Sequence, residues 1–158
     1  MYQAGIVTVS DRAFQGVYED RSGPEIQKAL IGSGFAIKSV MIVPDEIPEI
    51  SRALVDLADV KHMDLVLTTG GTGLSPRDVT PEATQAVIER QVAGLAEYVR
   101  QLGMACTPKA ALSRALAGTR NQTLIVNLPG SPKAIQQVLP DLVPVLLHGI
   151  EMMRGQEH

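Results

Sequence analysis

Short apolar runs, each about one strand long and most ending in polar or glycine-bearing residues, alternate along this chain with stretches of helical periodicity. The runs are Ala4 to Val9, Phe35 to Val43, Asp64 to Thr69, Ser113 to Ala117 and Thr123 to Leu128. Between them, Ser22 caps a helix that opens on Gly23-Pro24 and runs to about Ile31. A second helix begins near Pro48, where Ile50, Leu54, Leu57 and Ala58 form one apolar stripe. Thr80-Pro81-Glu82 reads as a helix start with a capping hydroxyl, a proline at the first position and an acid in the first turn, and the helix is expected to reach Arg90. Leu95 to Met104 is another helix; the region after Ser131-Pro132 is helical and apolar, with Pro140 expected to begin a new segment. Residues 11–22 read as a loop.

Strands separated by helices are best satisfied by a parallel sheet, because parallel neighbours need a long crossover and bury both faces. The expected fold is α/β, a three-layer sandwich with a mostly parallel central sheet and helices on both faces. Nothing in the chain reads as a linker, a low-complexity segment or a repeat, so residues 1–158 are expected to form a single domain.

Composition removes several function classes. Fourteen Lys and Arg against seventeen Asp and Glu leave a net charge of −3, without the basic surplus that nucleic-acid binding needs. Two Phe, three Tyr and no Trp offer little stacking surface for single strands. Cys106 is alone, which excludes an internal disulfide and a multi-cysteine metal site, and suits a reducing cytoplasm. His62, His148 and His158 are scattered without metal-ligand spacing. The N-terminal MYQAGIVTVSDR lacks the basic-then-apolar pattern of a secretory leader, and no run approaches the ~20 apolar residues that span a bilayer.

In open α/β sheets ligands bind beyond the carboxyl ends of the strands. Those ends carry Ser10-Asp11, Pro44-Asp45, Gly70-Gly71-Thr72-Gly73 and Asn127-Leu128-Pro129-Gly130-Ser131. Glycines crowded behind a strand can turn backbone N–H groups toward an anion, or can serve a turn that needs positive φ. The loop is no P-loop, because no lysine follows the glycines, and no dinucleotide fingerprint, because Pro76 stands where the third glycine belongs. Asp45 and Asp78 lie on loops expected to converge. Two carboxylates in one site invite a proton or a divalent cation such as Mg²⁺; alternatively, Asp45 caps the following helix and Asp78 satisfies loop amides. Arg12, Arg77, Arg114, Arg120 and Lys133 lie in or near these loops and are candidates to meet phosphate. No residue set reads as a Ser-His-Asp triad, and Cys106 has no histidine near it in sequence.

Taken together, the segments TVSDRAFQGVYEDRSGP (8–24), PDE (44–46), LTTGGTGLSPRDVTPEAT (67–84) and LSRALAGTRNQTLIVNLPGSPKA (112–134) resemble the molybdopterin adenylyltransferase family, the bacterial MogA/MoaB group that also forms the G domains of gephyrin-type proteins. The resemblance spans about residues 4–154, and the intact RDVTP and SDRAFQGVYED stretches look closer to MogA. It implies transfer of AMP from ATP to the terminal phosphate of molybdopterin, with release of pyrophosphate, Mg²⁺ accompanying ATP, a cytoplasmic homotrimer, and hand-over of the product to a molybdate-insertion protein. It implies catalytic roles for Asp45 and Asp78, which as a carboxylate pair are also the candidates to hold Mg²⁺. It places nucleotide or pterin contacts at Ser10, Asp11, Gly70, Gly71, Thr72, Gly73, Ser113, Asn127, Pro129, Gly130 and Ser131; the residues' own pattern adds the helix start at Thr80, Pro81 and Glu82, with its N-terminal donors, and the basic Arg114. The same loops would also serve a non-catalytic trimeric carrier of molybdopterin or nucleotide, or a hydrolase or transferase acting on another nucleotide. Neither membrane nor nucleic acid is an expected partner. The chemistry suits a site short of histidine: a phosphate monoester is ionised at neutral pH and brings its own nucleophile.

Overall fold

Each strand of the parallel set divides its side chains between two separate cores. Ala4 and Ile6, Leu65 and Leu67, and Leu124, Val126 and Leu128 point to one face, where they meet Ile26, Leu30, Val99, Ile135, Leu139 and Leu146. Val7 and Val9, Val66 and Ile125 point to the other, against Ile50, Leu54, Leu57 and Ala83. This period-two alternation, apolar on both faces, is what a sheet sandwiched between helices requires. The expected three-layer architecture is therefore the observed one. The computed structural model describes residues 1–156; His158 lies outside the described residues.

The order is β1 (Tyr2–Val9), α1 (Asp11–Phe14), α2 (Ser22–Leu30), β2 (Phe35–Val43), α3 (Ile47–Val55), β3 (Leu65–Thr69), α4 (Thr80–Gln85), β4 (Arg90–Gln91), α5 (Ala93–Met104), β5 (Ala117–Arg120), β6 (Thr123–Leu128) and α6 (Pro132–Met153). A π-helical turn over Asp56–Val60 extends α3, and a 3₁₀ turn over Pro108–Leu112 follows α5. The sheet runs β2-β1-β3-β6-β5-β4. β2, β1, β3 and β6 are parallel, whereas β5 pairs antiparallel with both β6 and β4. From β1 the chain moves outward to β2 and then returns to β3 on the other side of β1. The carboxyl ends of β1 and β3 thus flank the switch point at which open sheets bind ligands.

Several sequence expectations are corrected. Residues 113–116 are irregular, and the strand lies at Ala117–Arg120, where Gly118 lets the backbone and Ile88 approach; a Cβ there would sit 2.7 Å from the Arg90 carbonyl oxygen. Residues 11–22 contain the short helix α1, capped by Ser10, whose Oγ accepts from the Ala13 amide at 3.1 Å. α4 ends at Gln85 rather than Arg90, and Thr80 is its first residue rather than its cap. α6 runs unbroken through Pro140 and Pro144. Both prolines are exposed, so water can satisfy the carbonyls they deprive of partners, while Ile135, Val138, Leu139, Leu142, Val143, Leu146 and Ile150 bury one continuous stripe. Among the described residues, no helix is long and apolar enough to cross a membrane.

Candidate functional site

Two loop ends lock together behind β1 and β2. The Asp11 amide donates to Asp45 Oδ2 at 2.8 Å, and the Asp45 amide donates to Asp11 Oδ1 at 2.9 Å. Arg77, from the loop after β3, closes over the pair. Its Nε and one Nη bond the two Asp11 oxygens at 3.0 and 3.1 Å, and it reaches Glu46 at 2.9 Å. The bond to the Arg77 guanidinium, with the Asp45 amide, holds the Asp11 carboxyl below its ordinary range. Asp11 is thus fully engaged in orienting Asp45.

The glycine loop leaves β3 with Gly70 and Gly71 at φ +95° and +69°, a conformation that other residues rarely adopt. Contact as well as conformation requires these glycines. A Cβ on Gly70 would meet the Val9 carbonyl oxygen at 2.5 Å; one on Gly71 would collide with the Thr80 hydroxyl and lie 3.1 Å from Asp45 Oδ1; one on Gly73 would lie 2.9 Å from Asp78 Oδ2. The loop therefore threads between the two catalytic candidates, Asp45 and Asp78. Thr80 braces it from below. Its hydroxyl donates to the Gly70 carbonyl at 2.9 Å, and its amide donates to the Gly71 carbonyl at 3.1 Å.

Arg114 braces it from the other side. Its amide donates to the Thr72 carbonyl at 2.8 Å, its Nε to the Gly73 carbonyl at 2.9 Å, one Nη to the Asp78 carbonyl at 2.8 Å and the other to Glu82 at 2.7 Å. Arg77 and Arg114 are therefore committed to protein acceptors. Arg12 instead lies 5.8 Å from the Tyr18 ring and makes no ion pair among the described residues. Arg120 pairs with Asp59 at 2.8 Å, away from the glycine loop.

The two acids repel one another. Burial pushes the Asp45 carboxyl up from its ordinary value, and the charges of Asp11 and Asp78 add to that, against the Asp11 amide and Arg77. The folded protein thus holds this proton more tightly than the unfolded chain, and stability falls as pH rises from the ordinary carboxylate range through the raised pKa. Asp45→Asn is expected to raise the Tm at pH 7 by about 1–3 °C. The gain should vanish below the ordinary value of 3.8. Thermal melts of both proteins across that range check it, and a variant less stable at pH 7 would count against this electrostatic picture.

Asp45 Oδ1 and Asp78 Oδ1 accept no hydrogen bond among the described residues, while Asp78 Oδ2 takes the Ser75 amide at 3.1 Å. One open oxygen from each carboxylate suits Mg²⁺, which takes one or two carboxylates and completes its shell with phosphate and water. No group of three or more His, Cys, Asp or Glu side chains able to hold a metal exists among the described residues.

The remaining expected contacts divide. Gly130 approaches the glycine loop: a Cβ on it would lie 3.3 Å from Gly70 Cα. The Pro129 carbonyl accepts from Thr69 Oγ1 at 2.7 Å, and Ser131 caps α6 by accepting from the Ala134 amide at 3.1 Å. Pro81 is buried and Glu82 exposed in its pair with Arg114. Asn127 is fully buried: its side-chain amide donates to Thr68 and Thr84 at 2.9 and 3.0 Å, and its oxygen accepts from the Leu116 amide at 3.0 Å. It ties β6 to β3 and α4. Ser113 Oγ accepts from the Ala115 amide at 3.3 Å.

Sequence reasoning missed one wall of the crevice. A cavity of about 140 Å³ opens between the β1 and β3 ends, lined by Thr8, Ser10, Asp20, Ser22, Thr69 and Gly70, with Tyr18 and Gly130 beside them. Asp20, Ser22 and Tyr18 fall in the stretch read as a loop; the polar Thr8 within an otherwise apolar strand was the available signal. A larger cleft of about 550 Å³ lies at the β4 edge, between Val92, Leu95 and the end of α6 at Val145, His148 and Met152. It is remote from the glycine loop and its acids.

A family profile described as a probable molybdopterin binding domain matches residues 5–148. The chain is 46% identical over 143 residues to a protein of Haemophilus influenzae named molybdopterin adenylyltransferase, covering 88% of this chain and 72% of that one. It is 41% identical over 155 residues to a protein of the same name from Helicobacter pylori, covering 96% and 87%. The crystal structure of a molybdopterin biosynthesis enzyme, MoaB, from Thermus thermophilus superposes with a TM-score of 0.93 at 47% identity, covering 99% of this chain and 98% of that one.

Proposed function

The chain belongs to this molybdopterin-binding family and is a molybdopterin adenylyltransferase of molybdenum cofactor biosynthesis, and we propose that its chemistry occurs where Asp45 and Asp78 flank the Gly70–Gly73 loop. That juxtaposition is the observation that carries the reading. AMP passes from ATP to the terminal phosphate of molybdopterin: a phosphate oxygen forms the new bond to the α-phosphorus, the bond from that phosphorus to the bridging oxygen breaks, and pyrophosphate leaves with the electron pair.

The protein supplies no nucleophile, because the monoester is ionised, with its second pKa near ~6. What remains is to bring two anions together and stabilise the charge that develops. The glycine loop, with the buried Thr72 its one residue bearing a side chain, offers its backbone to phosphate oxygens. Arg114 and Thr80 hold that backbone in place, while Asp11 orients Asp45. Mg²⁺, held by the open oxygens of Asp45 and Asp78, would neutralise phosphate charge. Magnesium, the homotrimeric assembly, the cytoplasmic location and delivery to a molybdate-insertion protein are parts of this proposal that the resemblance supports.

Incubation with ATP, Mg²⁺ and molybdopterin tests the reaction. Adenylylated pterin and one equivalent of pyrophosphate per turnover are expected. Saturable pterin binding with no pyrophosphate would instead make the protein a carrier.

A further inference from the structure

Arg77 stands where three loops meet, yet it belongs to only one of them. It lies in the loop after β3, directly before Asp78 in the chain, and its guanidinium reaches residues behind β1 and β2. We propose that Arg77 is a positioning residue for adenylyl transfer: by gripping Asp11 and Glu46, it fixes how Asp45 and Asp78 face one another across the glycine loop. The proposal rests on the reading that these two acids flank the reacting phosphates.

Two locked units have to be joined. One is the turn Ser75-Pro76-Arg77-Asp78. The Asp78 amide donates to the Ser75 carbonyl at 2.9 Å, and the Ser75 amide donates back to Asp78 Oδ2 at 3.1 Å. Pro76, at the second position, has its φ preset for such a turn. The Asp78 carboxylate is therefore held to the turn that bears Arg77, and wherever Arg77 is tied, Asp78 is carried with it. The other unit is the reciprocal pair of Asp11 and Asp45, in which each backbone amide donates to the other's carboxylate, at 2.8 and 2.9 Å. Arg77 joins the two. Its Nε and Nη2 bond both oxygens of Asp11 at 3.0 and 3.1 Å, and Nη2 also donates to Glu46 at 2.9 Å. A forked pair fixes the plane of a carboxylate, which a single bond does not. With that plane fixed, the Asp11 oxygen that receives the Asp45 amide is fixed too.

Folding has little need of this grip. The Arg77 side chain is 54% exposed, and exposed ion pairs contribute little to stability. Charge alone would not supply it either, because a lysine ammonium lacks the fork. What the contacts accomplish is geometric. They close a ring, from Asp45 through Asp11 and Arg77 to Asp78, around a loop that approaches Asp45 at Gly71 and Asp78 at Gly73. Transfer between two bound phosphates is sensitive to such placement: a displacement of about 1 Å can cost on the order of 100-fold in rate.

The test compares the full chain with its Arg77→Gln, Arg77→Lys and Asp11→Asn variants and with the double variant Arg77→Gln/Asp11→Asn. Pyrophosphate release with ATP, Mg²⁺ and molybdopterin gives kcat and KM. Arg77→Gln is expected to lower kcat about 100-fold, with each KM changed less than about threefold and Tm within about 2 °C of the wild type. Arg77→Lys should remain at least about tenfold impaired. In the Asp11→Asn background, Arg77→Gln should cost less than about threefold more, because the link is already broken. An equal loss in both backgrounds, or a raised KM with kcat unchanged, would make Arg77 a direct ligand of substrate phosphate and overturn the proposal. Wild-type kcat in Arg77→Lys would overturn it by reducing the role to charge.

Amide hydrogen exchange, followed by NMR without substrate, is the second arm. The Asp11 and Asp45 amides should exchange about tenfold faster or more in Arg77→Gln, while core amides such as those of Val66 and Ile125 keep their wild-type rates. Unchanged exchange at Asp11 and Asp45 overturns the proposal whatever the activity, and so does equal acceleration at the core amides, which would make Arg77 a general stabilising contact. Should the wild type make no adenylylated pterin, faster exchange confined to Asp11 and Asp45 would sink the proposed reaction and leave this clamp standing.

Discussion

Asp78→Asn is expected to lower kcat for adenylyl transfer by about 100- to 1,000-fold, with little change in Tm. The substitution keeps an oxygen that can accept the Ser75 amide, so the loop retains its bond. What it removes is one of the two charges flanking the glycine loop, and with it one of the two open oxygens able to hold a cation. It also removes a charge that helps to raise the Asp45 carboxyl. The acid limb of the activity profile should therefore move to lower pH in whatever activity survives, because Asp45 then ionises more easily. Pyrophosphate release under saturating ATP, Mg²⁺ and molybdopterin gives kcat, and a pH series gives the limb. A folded variant that turns over at the wild-type rate would remove Asp78 from the chemistry.

The second large effect is expected on stability. Gly71→Ala places a methyl group against the Thr80 hydroxyl and beside Asp45 Oδ1, on a residue at φ +69°. Neither neighbour can yield cheaply. Thr80 is buried and bonded to the Gly70 carbonyl, and Asp45 is held by the Asp11 amide. Positive φ alone costs about 1 kcal/mol and the overpacking about 1–3 kcal/mol more. A Tm lower by about 5–15 °C follows. Gly32→Ala separates the two contributions, because Gly32 has φ +73° with nothing within 4 Å of a Cβ. It should show the conformational cost alone. Equal melting points for the two variants would mean that the glycine loop has more room than its contacts indicate. Activity should fall in Gly71→Ala and not in Gly32→Ala, which lies away from the strand ends that carry the site.

The parts of the fold legible in the sequence are those fixed by short-range pattern. Phe35–Val43 and Thr123–Leu128 read directly as strands, because apolar and β-branched residues fill both faces. Ser131-Pro132 reads as a helix start, and Ser131 caps α6 as expected. The errors lie where distant contacts overrule local preference. Thr80 has every local mark of an N-cap, yet its hydroxyl serves Gly70, ten residues earlier, and the helix begins at Thr80 itself. Pro140 marks a break by its own chemistry, yet a buried stripe on the opposite face carries α6 past it. The antiparallel β5 is too short and too poor in β-branched residues to be found before its partner β6 is known.

The layered α/β class, the glycine loop with its two aspartates, and the family that these motifs mark are legible in the chain alone. Those are properties of residue type and spacing along the chain. What each charged group is available to do depends instead on which partners the folded chain brings to it. Arg77 and Arg114 stand near the glycine loop as candidate phosphate ligands, yet their forked donors are occupied by Asp11, Glu46, Glu82 and loop carbonyls. Asp20 stands in an undistinguished polar stretch, yet it lines the crevice, where its carboxylate accepts from the Thr8 hydroxyl and the Ser22 and Gly23 amides. The reason is physical: a hydrogen-bonding group has a fixed number of donors and acceptors, and only the positions of its partners in space show which of them remain for a ligand.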